Sequence, residues 1–141
     1  MKLKQISVFL PNKPRQLANF FEFLMENKIY IRSITVAETE DYGLLLLLVK
    51  PFEKCVELLE DNDYMHSVTE VIAVRLKDNI SQLYNIAKTL GDNKVNIEYL
   101  YTFAEKSSET RTVTVLRLDD NENGFEVLKK NGFDVVEDFE Q

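Results

Sequence analysis

The chain has 141 residues, 45% of them hydrophobic and 29% charged, with a formal net charge of −7. This length admits one ordinary domain or two small ones, and the apolar content excludes an intrinsically disordered chain. Eight acids against Lys129 and Lys130 lie from Asp119 onward, a balance of −6, and an acidic segment of this kind opposes binding to phosphate backbones.

The first residues, Met1-Lys2-Leu3-Lys4-Gln5-Ile6, lack the apolar core of a secretory signal. Ile6, Val8 and Leu10 alternate with Gln5, Ser7 and Phe9, which predicts a strand. Pro11-Asn12-Lys13-Pro14 breaks it, with Asn12 placed as an N-cap and Pro14 suited to a first helical turn. Leu17, Phe20, Phe21 and Leu24 then recur at helical spacing, so residues 14–27 are expected to form an amphipathic helix. Ile29 to Glu38 reads as a second strand, Glu40-Asp41-Tyr42-Gly43 as a turn, and Leu44 to Val49 as a third strand. Pro51 opens a second helix with Cys55, Leu58 and Leu59 on its apolar side, ended by Asp61-Asn62-Asp63. Residues 64–76 are one β-prone run without a break, containing Val68, Val71, Ile72, Val74 and Leu76.

From that point the pattern starts again. At a fixed offset of 66, the pairs Gln16/Gln82, Leu17/Leu83, Asn19/Asn85, Leu24/Leu90, Asn27/Asn93, Lys28/Lys94 and Ile31/Ile97 are identical, and Val8/Val74 and Leu10/Leu76 extend the match upstream. Self-similarity that occurs only twice indicates a duplicated domain rather than a solenoid. The second copy predicts a strand at 71–77, a turn at Asp78-Asn79 and a helix over 80–92 through Leu83, Ile86, Ala87 and Leu90. A strand at 95–104, a polar turn, a strand from Thr112 to Leu118, a short helix at 121–131 and a last strand from Phe133 to Phe139 follow. Each half is thus βαββαβ, and the fold class is α+β, two ferredoxin-like repeats with antiparallel sheets and helices on one face. The repeats are assigned to residues 1–70 and 71–141.

Leu44-Leu45-Leu46-Leu47-Leu48-Val49 has no alternation, and such a strand is buried on both sides. Helices of its own repeat cover one side, so the other must meet the second repeat or a second chain; a homodimer or larger assembly is expected on this ground. The run is far too short to span a membrane.

The catalytic inventory is thin. His66 and Cys55 are each the only residue of their kind, which excludes a zinc-type cluster and any internal disulfide. The four glycines are dispersed without a phosphate-cradling pattern. Asp119-Asp120-Asn121-Glu122-Asn123-Gly124 superficially suggests a calcium loop, but its acids are contiguous, so a helix-capping turn is expected. Tyr99, Tyr101 and Phe103 share one face of a strand, as base-stacking aromatics do in RNA-recognition motifs. Thr112-Val113-Thr114-Val115-Leu116-Arg117 lacks the basic and aromatic pattern that such a motif needs, so these rings are assigned to packing and no nucleic acid is expected. The reading is a non-enzymatic protein without metal or cofactor, soluble and cytoplasmic.

The best functional candidates are the strand-to-helix turns, Pro11-Asn12-Lys13-Pro14-Arg15-Gln16 and Lys77-Asp78-Asn79-Ile80-Ser81-Gln82. Helix N-termini carry unpaired N–H groups and suit a carboxylate, while Asn12 and Asp78 either cap the helix or receive an amino group.

The turn Asn12-Lys13-Pro14-Arg15-Gln16-Leu17, between a strand and an amphipathic helix of a duplicated βαββαβ unit, resembles the ACT domain and its Asp/Asn-x-Pro-Gly-x-Leu hallmark. Asn27-Lys28-Ile29-Tyr30-Ile31 and Asn93-Lys94-Val95-Asn96-Ile97 are similar to that family's lead-in to its second strand. Nearly the whole chain resembles small bacterial proteins made only of two ACT domains. The resemblance implies that the domains pair side by side and are regulated by a small molecule, commonly an amino acid bound at the interface, between the first turn of one domain and the strand edge of its neighbour, with self-association and a regulated enzyme as a partner. Carried over by position, the ligand-binding candidates are Asn12, Lys13, Pro14, Arg15 and Gln16 in the first turn and Asp78, Asn79, Ile80, Ser81 and Gln82 in the second. Ile31, Ser33, Ile97 and Tyr99 lie on the facing strands. Arg15 and Ser81 replace the family's glycine, and Ile80 replaces its proline. A β-carbon there obstructs the usual pose, or Arg15 clamps the ligand carboxylate through its planar fork. The competing class is an interaction module of the same fold that has lost its ligand.

Overall fold

A computed structural model describes residues 3–38, 42–77, 80–105 and 111–137. The elements run β1 (Leu3–Pro11), α1 (Gln16–Glu26), β2 (Tyr30–Glu38), β3 (Tyr42–Lys50), α2 (Phe52–Asp61), β4 (Met65–Leu76), α3 (Ile80–Asp92), β5 (Ile97–Glu105), β6 (Arg111–Leu118), α4 (Asn121–Lys130) and β7 (Asp134–Val135). The chain divides into two compact units, one over Lys4–Thr69 and one from Glu70 onward. The run at 64–76 is the single strand β4, and the division falls within it.

In the first unit β3 lies between β1 and β2, antiparallel to both, with Val8 opposite Leu45 and Val36 opposite Leu45 on the other side. In the second unit β6 lies between β5 and β4, and β4 pairs in turn with β7, again antiparallel throughout. This order is the α+β ferredoxin-like plan expected from the element sequence. Both copies bulge at the same place, between Ile31 and Ser33 in β2 and between Ile97 and Tyr99 in β5. A bulge bends the strand and increases its twist.

Each unit has its own core. In the first, Ile6, Val8 and Leu10 of β1 and Leu45, Leu47 and Val49 of β3 pack with Phe20 and Leu24 of α1 and Cys55 and Leu59 of α2. Tyr64 closes it edge-on to Phe20 at 5.2 Å. In the second, Ile72, Val74 and Leu76 of β4 meet Ile86 and Leu90 of α3, Leu116 and Leu118 of β6, and Val127 and Leu128 of α4. Each fully buried Leu or Ile contributes about 1.5–3 kcal/mol. The identical pairs Val8/Val74 and Leu24/Leu90 thus do the same packing job in both copies.

All four helices end in one device. Asn27, Asn62, Asn93 and Asn131 each donate their side-chain amide to the carbonyl four residues back, at 2.8 Å in every case. The following residue has positive φ: Lys28 at 58°, Asp63 at 58°, Lys94 at 61° and Gly132 at 83°. The next backbone N–H then returns to the last full turn: Ile29 to Leu24, Tyr64 to Leu59, Val95 to Leu90 and Phe133 to Leu128. This is the Schellman motif, with its hydrophobic contact supplied by those same pairs.

Several expectations change on contact with the structure. Pro14 lies in a turn and α1 starts at Gln16, with Arg15 rather than Asn12 at the N-cap position and no side-chain cap. Ala87, expected in a core stripe, is exposed. The last strand is confined to Asp134–Val135; Asp138 and Phe139 lie outside the described residues, as do Glu40-Asp41 of the first hairpin turn and most of the second, 106–110. Leu46 and Leu48, on the face of β3 away from the helices, are 9% and 0% exposed in the single chain, so they form no bare patch that demands a second copy.

Candidate functional site

The geometry of the first turn begins with β1. Its last pairs, Leu10 with Gly43 and Pro11 with Tyr42, carry the strand to the end of the sheet. Lys13 N–H then donates to the Pro11 carbonyl at 2.9 Å, and Gln16 N–H to the Lys13 carbonyl at 3.3 Å, so the chain turns within a few residues. Arg15 sits in the left-handed region, φ 75° and ψ −15°, and its carbonyl accepts from Asn19 N–H at 2.9 Å to open the helix. This is the position where the ACT hallmark has glycine, and the backbone keeps the glycine conformation although an arginine stands there. The first turn of α1 carries no acidic side chain and no side-chain cap. It therefore presents uncompensated positive dipole to the turn.

Beside it lies a cleft of about 130 Å³. The turn contributes Asn12 and Lys13 and the helix Gln16 and Leu17; the strands contribute Leu10, Pro11, Val36, Gly43 and Leu45. Asn12, Lys13 and Gln16 thus line one cleft. Pro14 and Arg15 are exposed and absent from the lining. Ile31 packs against the first core, and Ser33 is buried opposite Leu48; neither lines the cleft. Sequence reasoning missed Leu10, Leu17, Val36, Gly43 and Leu45. Helical spacing assigns Leu17 to the apolar face of α1, yet it is 38% exposed and lines the cleft.

The second copy starts its helix earlier than the first. Asp78 and Asn79 lie outside the described residues, and α3 begins at Ile80, two positions earlier than α1 does in the aligned copy. Ser81, the counterpart of Arg15, is therefore inside a helix. Ile80 is 77% exposed, Ser81 is exposed and Gln82 half-buried. Ile97 packs against the second core, and Tyr99 stacks on Tyr101 with centroids 6.5 Å apart and lies 5.9 Å from the Arg117 guanidinium. Burial, and secondarily the neighbouring Tyr99, raise the Tyr101 phenol above its ordinary range. These rings are half-buried packing groups of β5.

The remaining reactive groups have structural settings. Cys55 is fully buried, and burial pushes its thiol up to about 11. His66 is half-buried, with Nδ1 2.8 Å from the Tyr64 carbonyl. Asp120 caps α4, its carboxylate accepting from Asn123 N–H at 3.1 Å, while Asp119 accepts from Asn96 N–H at 2.9 Å, so this acidic run is the expected capping turn. Among the described residues, no three His, Cys, Asp or Glu side chains are grouped to hold a metal ion, and no helix is long and apolar enough to cross a membrane.

The structure thus consists of two ferredoxin-like units in tandem. The chain belongs to the ACT domain pair family, whose model matches residues 1–141. It is similar to protein BT0572 from Bacteroides thetaiotaomicron, with 29% identity, a TM-score of 0.86, and coverage of 96% of this chain and 92% of that one. The fold is also that of the ligand-free regulatory subunit of aspartate kinase from Thermus thermophilus, at 15% identity and a TM-score of 0.59 over 92% of each chain. The aspartate kinase regulatory subunit from Thermus flavus matches at 16% identity and a TM-score of 0.57 over 90% of each chain. No curated protein sequence matches the chain.

Proposed function

We propose that the protein is a cytoplasmic, non-enzymatic sensor that binds an amino acid in the first-turn cleft and passes the signal to a partner enzyme, acting as a homodimer or larger. The observation that carries this reading is the gathering of Asn12, Lys13 and Gln16 at one opening beside the uncapped start of α1. Amide groups and a cation at such an end suit a carboxylate, and the amide oxygens suit an ammonium. The similarity in fold to regulatory subunits of an amino-acid kinase supports the same reading. The two turns differ in backbone, with Arg15 left-handed and Ser81 helical, and this favours one binding site per chain, at the first turn.

Thermal unfolding in the presence of each of the twenty amino acids tests the proposal. A ligand that binds the folded state adds about 2.7 kcal/mol at a hundredfold excess over Kd, a rise of roughly 5–10 °C for a chain of this size. The shift should vanish in Asn12→Ala and Lys13→Ala, whose exposed positions leave the unliganded midpoint close to that of the parent chain. No shift with any amino acid at millimolar concentration would leave an interaction module of ACT fold as the better reading.

A further inference from the structure

From the cleft walls we infer the class of ligand side chain: an uncharged apolar group such as that of valine, leucine or isoleucine. This rests on the amino-acid reading above and concerns only what the cleft admits beyond the α-carbon. The polar lining comes from Asn12, Lys13 and Gln16, and the apolar lining from Leu10, Leu17, Val36 and Leu45. Those four apolar side chains offer no acceptor to the cation of a lysine or arginine side chain. Lys13 is the single charged group and serves the α-carboxylate; a second carboxylate, as in aspartate or glutamate, would be pressed against leucine and valine side chains without a partner. An apolar cavity of about 150 Å³ admits a benzene ring, so the cleft of about 130 Å³ has room for an isopropyl or isobutyl group.

The carboxylate and aliphatic group are shared by two kinds of metabolite, the amino acid and its 2-oxo acid, and calorimetry on the full chain separates them. L-Valine, L-leucine, L-aspartate, L-lysine and 4-methyl-2-oxopentanoate are the probes. The expected result is binding of L-leucine or L-valine at least tenfold tighter than that of aspartate or lysine. Aspartate or lysine binding as tightly as leucine overturns the side-chain class while leaving the amino-acid reading intact. Preference for the 2-oxo acid over leucine supports the side-chain class and overturns the amino-acid reading. Silence from every probe overturns both. Val36→Asp places a carboxylate on the cleft wall at a position that is 50% exposed and tolerant of a polar group. It should weaken leucine binding at least tenfold, and unchanged affinity in that variant would remove the cleft as the site.

Discussion

Arg15 holds φ 75° at the mouth of the turn, a conformation that costs an L-residue about 1–2 kcal/mol and glycine almost nothing. Its side chain is exposed and does not line the cleft, so the arginine is retained at a position whose backbone favours glycine. Arg15→Gly should therefore raise unfolding stability by up to about 1 kcal/mol, the relief of strain being partly offset by a more flexible unfolded chain. Chemical denaturation of the two proteins checks this, and a loss of stability would show that the arginine side chain contributes contacts that outweigh the strain. Cys55 gives a second residue-level expectation. Its thiol is raised from 9.0 to about 11 by burial, so the unfolded chain ionises first as pH rises. Its contribution to stability is complete below pH 9 and is lost between pH 9 and about 11. At neutral pH the buried neutral thiol should react with a thiol reagent only at the rate of unfolding, and Cys55→Ala should flatten the alkaline fall in stability.

At the scale of elements, the repeated C-terminal cap explains why Asn27 and Asn93 are identical. The asparagine satisfies a last-turn carbonyl, and the next residue takes the left-handed conformation that lets the chain reverse. The two glycines near helix ends then have opposite roles. Gly91 lies inside α3 with ordinary φ and open space around its α-carbon, whereas Gly132 has φ 83° after α4. Gly91→Ala should stabilise by about 0.5–1 kcal/mol through helix propensity, and Gly132→Ala should destabilise by about 1 kcal/mol. Thermal melts of both variants test this, and equal shifts of the same sign would contradict the cap assignment. The start of the helices is where the copies part: α1 begins after a left-handed Arg15, and α3 runs two residues further back. Leu83 and Leu90 keep the core side of α3 in register, so the change is confined to the end that faces the turn.

For the whole molecule, each unit closes a core of its own around one sheet face and two helices. Equivalent truncations should therefore cost similar amounts. Leu59→Ala and Leu128→Ala, both fully buried at matching helix positions, are each expected to lose about 2–5 kcal/mol. Urea unfolding of each variant reads this directly. Self-association no longer follows from the leucine run of β3, since Leu46 and Leu48 are buried without a second copy. It rests instead on the habit of the family, and sedimentation velocity over a range of concentrations is expected to give twice the monomer mass or more. A monomer at all concentrations would remove the dimer from the proposed function.

What the amino-acid order determined by itself is local and periodic. Alternation in β1, helical spacing in α1 and the identities at offset 66 were enough to reach two βαββαβ copies, because strand pleat and helix pitch are properties of neighbouring residues, while the likeness to the ACT family rested on the motif from Asn12 to Leu17. The presence of a turn after β1 was legible from Pro11-Asn12-Lys13-Pro14, though not where α1 starts, and Asn12, Lys13 and Gln16 line the cleft. The walls of that cleft were not legible. Val36, Gly43 and Leu45 come to Leu10 only through the registers of β1 with β3 and β3 with β2, and register is set by pairing across the sheet. Nor could spacing show that Arg15 would keep a left-handed backbone while Ser81 joined a helix, since that choice depends on how the helix end meets its sheet. Residue type and period decided what the elements are; the packing of strands remote in sequence decided which side chains share a cavity.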